Sequence, residues 1–365
     1  MSEWQTFCLK DLVKIFGGST PPTNNPKNYG NKIRWITAKD LSTLQGRYIK
    51  KGSRSISRLG FKSCSTFLLP KHAILFSVRA PIGYTAIISK RSCTDRGLMG
   101  LVPNKKIYFE FLYYLLKYHK DNISNMGVGT TFKGISKPAL GLFKVKIPPT
   151  YYEQQKIART LSILDQKIEN NHKINELLHT LAYKIYEYYF KYKPKNAKLE
   201  QIIIENPKSS IMVKNAQKTQ DKYPFFTSGD NILSYPKAII DGRNCFLNTG
   251  GNAGIKFYVG KASYSTDTWC ICANEFSDYL YLLLSSIKTH INQSFFQGTS
   301  LKHLQKNLLK KYPIYMPSAH EIKKFNQIIM PLLTLISINT RTSKNLEQIR
   351  DFLLPLLLKQ QVKPK

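Results

Sequence analysis

The chain has 365 residues, with 55 Lys and Arg against 22 Asp and Glu, and a formal net charge of +33 at pH 7. This length exceeds one ordinary domain, and the charge favours a polyanionic partner such as nucleic acid. The N-terminus has no apolar signal segment and no stretch approaches the ~18 apolar residues of a membrane span, so we expect a cytoplasmic protein and exclude a membrane protein.

Residues 1–149 form the first predicted globule. The runs 73–78 and 84–88 are rich in aromatic and β-branched residues and predict strands, whereas residues 109–120 look helical. The sequence therefore predicts a mixed α/β globule. It also carries most of the charge, because residues 4–148 contain 25 Lys and Arg against 5 Asp and Glu. A lysine-rich genome explains part of the overall charge but not this concentration.

Residues 150–198 are predicted to form one long helix. Its apolar positions advance in alternating steps of four and three residues over about five heptads. This period keeps one narrow stripe facing one partner helix, which is typical of a coiled coil. The stripe consists of Ile157, Leu161, Leu164, Ile168, Asn171, Asn175, Leu178, Ala182, Ile185 and Tyr189.

Residues 199–317 and 318–365 repeat this arrangement of globule and helix. The second globule has only 13 Lys and Arg against 8 Asp and Glu, and residues 278–291 look helical. Pro331 has no counterpart in the first helix and is expected to kink the second helix or to delay its start. The second stripe consists of Phe325, Ile329, Leu332, Ile336, Asn339, Ser343, Leu346, Arg350, Leu353 and Leu357.

The repeat extends beyond the helices. Residues 129–133 (GTTFK) recur as 298–302 (GTSLK) and residues 145–148 (VKIP) as 314–317 (IYMP), both 169 residues later, and the helical stripes are 168 residues apart. A period of this length equals a domain plus a helix. The sequence therefore predicts an α+β fold, in which two similar mixed α/β domains are joined by two long antiparallel coiled-coil helices in an internal pseudo-twofold repeat.

Catalytic signatures are not apparent in the sequence. Ile147-Pro148-Pro149 is superficially similar to the Asn-Pro-Pro-Tyr motif of amino methyltransferases, but Ile147 cannot accept a hydrogen bond from the amine, and the prolines are better explained as a stop before the helix. The Gly-rich segments 127–131 and 250–254 lack the Gly-Lys-Ser/Thr ending of a phosphate loop. Histidines, carboxylates and the six cysteines form no pattern at acid-base or metal-ligand spacing. We expect no catalysis and no metal.

Several motifs carry a family resemblance. The most specific is Pro148-Pro149 followed by residues 153–157 (EQQKI) at the start of a long helix. The others are Trp4, residues 12–15 (LVKI), 18–21 (GSTP), 35–41 (WITAKDL), 74–79 (ILFSVR), Ile82-Gly83, Gly129-Thr130 and Ile135. Over nearly its whole length the chain resembles the DNA sequence-specificity subunits of type I restriction-modification enzymes. The second copy departs from the pattern. Residues 317–322 (PSAHEI) stand where the first copy has its diproline and EQQKI, and the second copy lacks the Gly-x-Thr-Pro segment near its start.

The resemblance implies a role and a set of partners. Residues 1–149 and 199–317 would be target recognition domains, each binding one half of a bipartite double-stranded DNA site. Residues 150–198 and 318–365 would be spacer helices that dock modification (methyltransferase) subunits, two of them expected, in a complex with restriction subunits. S-adenosylmethionine, ATP and Mg²⁺ would belong to those partners, so no cofactor is expected on this chain.

The helices also carry a geometric expectation. A helix of about 37 residues is ~55 Å long. An antiparallel pair of equivalent helices has a pseudo-twofold axis, which predicts inverted half-sites separated by a fixed spacer of one to two DNA turns of ~34 Å each. Asn171 and Asn339 occupy the same heptad position near the middle of each helix. A buried Asn in an apolar seam sets the register at a cost in stability, so we predict this role for both.

The predicted DNA contacts are basic side chains of both globules. Forked hydrogen bonding to base edges favours arginine, and the first globule has seven arginines against Arg243 alone in the second. A first half-site containing guanine and a second half-site richer in A/T follow as a hypothesis. The predicted contacts are Arg34, Lys39, Lys50, Lys51, Arg54, Arg58, Arg79, Lys133, Lys214, Lys218, Arg243, Lys256 and Lys302.

Two alternatives belong to other classes of protein. The chain would be an enzyme component if it were the specificity half of a fused methyltransferase or nuclease, although the catalytic motifs are missing. It would be a non-catalytic RNA-binding protein or a paired-helix scaffold if its globules contacted folded RNA or protein, which charge alone permits.

Overall fold

A computed structural model describes residues 3–129, 133–216 and 222–364. Lys218 and residues 130–132 of the repeated GTTFK motif lie outside the described residues. The chain forms two compact units, one made of Met1–Glu169 with Leu346–Lys365 and the other of Asn170–Asn345. Each unit therefore contains one globule and one end of both long helices.

Within the described residues, the first unit contains three β-sheets. Its strands are β1 Gln5–Cys8, β2 Val13–Gly17, β3 Tyr29–Ile36, β4 Tyr48–Ile49, β5 Arg54–Ile56, β6 Ile74–Ser77, β7 Thr85–Ile88, β8 Cys93–Thr94, β9 Leu98–Pro103 and β10 Lys144–Ile147. The largest sheet has the order β2-β9-β6-β7-β4, a smaller one has the order β5-β3-β8, and β1 pairs with β10. All pairs are antiparallel except β4 with β7 and β3 with β8.

Helices surround these sheets. The short ones are α1 Leu9–Leu12, α2 Ala38–Ser42, α3 Arg58–Lys62, α4 Phe109–Tyr118, α5 Lys120–Asn125 and α6 Lys137–Leu142, with a 3-10 turn at Pro26–Asn28. The first long helix, α7, spans Tyr151–Tyr186 and continues as a π-helical turn over Glu187–Lys191.

The central strand β6 is buried on both faces, as its continuous apolar run indicates. Ile74 and Phe76 lie in the apolar cluster that contains Phe111 and Leu112 of α4. Leu75, which points to the opposite face, lies in a second cluster with Ile36 and Leu41. The smaller sheet is thereby attached to one face of the larger sheet and α4 to the other.

The second unit repeats this topology with strands of different lengths. They are β11 Ala197–Lys198, β12 Ile204–Glu205, β13 Tyr223–Phe226, β14 Leu233–Tyr235, β15 Arg243–Asn248, β16 Ile255–Val259, β17 Ser263–Tyr264, β18 Thr268–Cys272, β19 Phe296–Gln297, β20 His303–Leu304 and β21 Pro313–Ile314. Its main sheet has the order β12-β18-β15-β16, matching β2-β9-β6-β7, and β14-β13-β17 matches β5-β3-β8, with the last pair parallel in both. This confirms the internal repeat and the mixed α/β fold.

In its described part, the second unit also contains four short helices and the second long one. The short helices are α8 Val213–Ala216, α9 Ser277–Ser286, α10 Lys288–Ser294 and α11 Lys306–Lys310, with 3-10 turns at Leu199–Gln201 and Asn274–Phe276. The second long helix, α12, spans Ala319–Leu358. Among the described residues, no helix is both long and apolar enough to span a membrane.

Both long helices follow the sequence pattern, and none of the twenty stripe side chains is exposed. The delayed start expected from Pro331 is wrong, because α12 begins at Ala319 and continues through the proline. Reciprocal hydrogen bonds between Ser318 and Glu321 form a capping box that fixes this start. Pro331 is exposed, so the helical carbonyl left without a donor one turn earlier can be hydrated.

Within the second unit, α7 and α12 run antiparallel, since contacts that move forward along α7 move backward along α12. Asn171 Nδ2 donates to Ser343 Oγ (3.1 Å), and Asn339 Nδ2 donates to Asn175 Oδ1 (2.9 Å). Asn175 Nδ2 lies 3.4 Å from Thr340 Oγ1. Asn171 and Asn339 are therefore each satisfied by a polar residue of the other helix. Their role in setting the register stays a prediction.

Candidate nucleic-acid interface

In the first unit, Asp40 ties together the segments that carry Lys39, Lys50 and Lys51. Its Oδ2 accepts from the Thr37 amide and its Oδ1 from the Ser53 amide, both at 2.8 Å. Burial raises the pKa of Asp40, but these hydrogen bonds outweigh it and hold the pKa below its usual value. The start of α2 and the chain entering β5 are thus fixed side by side.

A glycine permits this close approach. A Cβ on Gly52 would lie 2.2 Å from the carbonyl oxygen of Trp35 and 2.8 Å from Asp40 Oδ2, so no larger residue fits without moving the backbone. The exposed Lys39, Lys50 and Lys51 therefore lie on segments that these hydrogen bonds hold together.

Arg34 and Arg54 lie on adjacent strands but on opposite faces of the small sheet. The register pairs Arg34 with Ser55 and Trp35 with Arg54, and successive side chains alternate in direction. The Arg54 guanidinium is 4.1 Å from the centroid of the Tyr29 ring, a cation–π contact that fixes its orientation. The structure does not bring these two arginines onto one surface.

Arg79 and Lys133 lie next to each other at the end of β6. Arg79 forms an isolated antiparallel bridge with Gly134, which follows Lys133. Asp95 lies close to Arg79; burial raises the pKa of its carboxyl, against amide hydrogen bonds and the Arg79 charge. The Asp95 carboxylate accepts from the Gly97 amide at 3.0 Å. The two cations are thus held at one edge of the main sheet.

The eight first-unit candidates share two properties. All are exposed, and none forms an ion pair with a carboxylate of the part of the chain that the structure describes. They are Arg34, Lys39, Lys50, Lys51, Arg54, Arg58, Arg79 and Lys133. Exposed cations of this kind can contact phosphate oxygens without first breaking an ion pair.

Comparison with known proteins identifies the family. The model of the type I restriction modification DNA specificity domain matches residues 1–180 and again 195–348, which is most of the chain. The chain belongs to the type I DNA specificity family. This double match agrees with the two repeated units and confirms the resemblance seen in the sequence.

Relatives of known family extend over nearly the whole chain. The type I restriction enzyme MjaIX specificity subunit of Methanocaldococcus jannaschii is 28% identical over 98% of this chain and 93% of its own length. A putative type I specificity subunit of Mycoplasma genitalium is 23% identical over 84% and 80%. The crystal structure of a type I restriction-modification S subunit from M. genitalium has the same fold, with a TM-score of 0.63, 18% identity and coverage of 98% and 96%.

Two candidates of the second specificity domain are engaged by hydrogen bonds inside the fold. Arg243 binds Asp278 through two nitrogen–oxygen contacts of 2.5 Å and also donates to Thr334 Oγ1 (3.0 Å). Lys256 Nζ donates to the Thr227 carbonyl (2.8 Å) and to Asn248 Oδ1 (3.2 Å), and burial lowers its pKa. Both cations satisfy buried acceptors, which explains why the sequence contains them.

The other second-domain candidates differ in position. Lys214 and Lys302 are exposed, whereas Lys218 lies outside the described residues. Lys302 is equivalent to Lys133, because its neighbour His303 forms with Gly250 the bridge that Gly134 forms with Arg79. In the first domain the basic residue of the bridge is Arg79, which follows β6. In the second domain it is His303, on the opposite side of the bridge, and Gly250 stands in place of the arginine.

Sequence reasoning missed an arginine junction that recurs in both domains. Arg47 is buried and binds Glu110 (3.2 Å) and Glu169 (3.1 Å), so it joins α4 to α7. Arg243 joins α9 to α12 in the same manner through Asp278. The signal was present, since Glu110 and Asp278 recur at the 168-residue offset in a chain with few acidic residues.

A second missed feature lies between the long helices in the first unit. Arg350 Nη1 binds Asp165 Oδ1 (2.7 Å), and the Tyr114 hydroxyl donates to Asp165 Oδ2 (2.5 Å). Burial, followed by the charge of Asp165, raises the pKa of Tyr114, so the phenol remains a donor. The signal was the presence of Arg350 as the one charged residue of a stripe that is otherwise apolar or uncharged.

The described residues of the specificity domains contain no candidate metal site and no disulfide. Within the described ranges, no group of three or more His, Cys, Asp or Glu side chains could hold a metal ion. The six cysteines are free thiols there, and burial raises the pKa of Cys93 to about 12 and that of Cys270 well above its usual value.

Proposed function

We propose that this member of the specificity family binds a bipartite DNA target, with one half-site contacted by each unit. The observation that carries this proposal is the set of eight exposed, unpaired cations on the first unit, in a domain with five times as many basic as acidic residues. Counterion release from DNA phosphates would supply most of the affinity, with strong salt dependence. The family supports DNA over RNA or a protein scaffold.

The two units would contribute unequally. With Arg243 and Lys256 committed to internal bonds, Lys214 and Lys302 are the second-unit candidates that the structure leaves exposed. The second half-site would then depend more on uncharged hydrogen-bonding side chains, which favours A/T over guanine contacts there. The first unit would supply the electrostatic anchor.

The long helices would dock modification subunits. In the second unit, α7 carries a second stripe on its outer side, with Ile174 43%, Leu177 71% and Leu181 49% exposed. On α12, Ile328, Leu335 and Ile338 are exposed at spacings of seven and three residues, which fit a heptad repeat as the steps of three and four on α7 do. Such a heptad repeat on the outer side of a helix pair suits additional helices, which would extend the pair into a bundle.

Catalysis would be the task of the partners. We infer that the chain is not itself an enzyme, and that S-adenosylmethionine, ATP and Mg²⁺ act on modification and restriction subunits. The expectation is that the purified chain, mixed with S-adenosylmethionine and its target DNA, incorporates no methyl groups until a modification subunit is added. Methylation by the purified chain alone would support the alternative of a fused enzyme component.

Selection from randomised DNA tests the proposal, followed by footprinting of the selected sequence. We expect two protected patches separated by an unprotected spacer of about one to two turns, with guanine in one half-site. A single patch, or tighter binding to a folded RNA of equal length, would contradict DNA recognition. Two patches without guanine would contradict only the base assignment.

A further inference from the structure

The ion pair between Asp165 and Arg350 has no counterpart in the second unit. The repeat offset of 168 residues places Leu333 at the position equivalent to Asp165, and Ala182 at the position equivalent to Arg350. Leu333 and Ala182 are both fully buried and lie in one apolar cluster. The two ends of the helix pair are therefore built differently at the same site.

Tyr114 forms a polar triad with Asp165 and Arg350, and its equivalent in the second unit is also apolar. Tyr114, which donates to Asp165, corresponds to Leu282, and Leu282 belongs to the same apolar cluster as Leu333. A polar triad in one unit is thus replaced by an apolar triad in the other. Because the apolar version packs well in this very protein, the ion pair is not required by the geometry of the site.

The polar layer of Asn171, Asn175, Asn339 and Ser343 does not discriminate between like and unlike helix pairs. Each of its contacts joins an Asn to the residue equivalent to position 175, which is Asn175 on α7 and Ser343 on α12. If two copies of α7 paired with each other, Asn171 would meet Asn175 of the other copy. If two copies of α12 paired, Asn339 would meet Ser343. Both contacts can be hydrogen bonded, so this layer accepts like pairs as readily as the native pair.

The Asp165–Arg350 ion pair, by contrast, forms only between α7 and α12. In a pair of two α7 helices, Asp165 would face Ala182 of the other copy at both ends. In a pair of two α12 helices, Arg350 would face Leu333. A dimer that exchanged the helices in this way would leave two Asp165 carboxylates and two Arg350 guanidiniums without this interhelical ion pair, at a desolvation cost for each. Arg350 would keep its contact with the exposed Asp351 (2.8 Å) and Asp165 its hydrogen bond from Tyr114, but neither contact replaces the lost ion pair.

We propose that the Asp165–Arg350 pair is a partner-selecting contact, which restricts each long helix to the other helix and excludes a second copy of this chain through like helices. Repeated halves that share one heptad pattern are otherwise suited to exchange between chains, and a buried charge pair placed on one side only removes that route. The proposal concerns pairing alone and does not depend on DNA binding.

Refolding of the full chain tests the proposal. The Asp165→Leu/Arg350→Ala variant copies the second unit and should form like-helix dimers at a concentration at least about tenfold lower than the original chain, as measured by light scattering after refolding from urea. The matched control is the charge-reversed Asp165→Arg/Arg350→Asp variant, in which like pairs remain penalised. This control should stay monomeric, as the original chain should.

Each outcome decides the question. If all three proteins dimerise equally, or if the two variants do, the proposal is wrong. Such dimers can form when α7 of one copy pairs with α12 of another, and this exchange is possible for every one of the three proteins. Should the double variant lose its helical circular dichroism, adding Tyr114→Leu completes the apolar triad and permits the same comparison. Failure of that variant to fold would mean that the pair is needed for folding itself, which also contradicts a role confined to partner choice.

Discussion

Asn171 of α7 donates a hydrogen bond to Ser343 of α12 across 3.1 Å. Exchanging the helices reproduces the contact, since Asn339 donates to Asn175 across 2.9 Å. The same polar contact is therefore made twice by residues related through the internal repeat, which is the pattern of an isologous interface within one chain. A polar layer that is duplicated in this way is the basis of our prediction that Asn171 and Asn339 set the register of the two helices.

Removing both donors tests the role of this layer in setting the register. For Asn171→Leu/Asn339→Leu we expect an unchanged or higher urea midpoint, because Leu packs better in a seam, together with faster hydrogen exchange around residues 168–178, because neighbouring registers become accessible. Ile174→Leu, at an exposed position of the same helix, is the control and should change neither. A lower midpoint with unaltered exchange would contradict the register role.

Arg243→Ala should destabilise the second unit by about 3–5 kcal/mol, because it leaves the carboxylate of Asp278 buried without a partner. The Asp278 side chain is only 2% exposed. Lys261→Ala, at an exposed position of the same unit, should stay within about 0.5 kcal/mol. Urea denaturation at pH 7 measures both.

The same variant has a defined pH dependence. Burial raises the pKa of Asp278 above 3.8 and Arg243 opposes the rise, so removing Arg243 raises it further. The folded state then binds a proton more tightly than the unfolded state, and this contribution to stability is present at acid pH and lost as the pH rises through the folded pKa. The deficit of the variant should shrink toward pH 4 and grow toward pH 7. A deficit that is constant over this range would place the loss in packing.

The helices and the repeat could be predicted from the sequence, whereas the contacts of individual charges could not. The stripes of α7 and α12 are local patterns, and every member from Ile157 to Leu357 is shielded as expected. The partner of Arg243 lies 35 residues away, and only the pairing of β15 with its neighbours brings α9 to it. We predicted a DNA contact for this arginine from its charge. Charge counts contain no information about burial, so the sequence could not show that Arg243 is bound to Asp278 inside the fold.

The basic edge at the end of β6 should contribute phosphate contacts. Arg79→Ala and Lys133→Ala should each weaken binding to the selected DNA and each lower the slope of log K against log salt by about one, if each residue contacts one phosphate. Lys144→Ala, an exposed lysine on β10, removes the same charge elsewhere and should leave the slope nearly unchanged. Fluorescence anisotropy at several salt concentrations measures the slopes. Equal losses for all three variants would indicate general attraction by net charge.

Leu177 offers the sharpest test of the docking surface, because its side chain is 71% exposed and its loss costs the isolated chain little. Leu177→Asp should leave the urea midpoint and DNA binding unchanged but reduce the association constant with a modification subunit at least about tenfold, since the charge must be desolvated in a helical bundle. Thr180→Asp places the same charge at an exposed position three residues further along α7, beside the stripe formed by Ile174, Leu177 and Leu181, and is the control. We expect calorimetric titration with the modification subunit to separate the two variants. Equal affinity of both would place the docking surface elsewhere on the chain, whereas a lower urea midpoint for Leu177→Asp alone would mean that this side chain supports the helix pair itself.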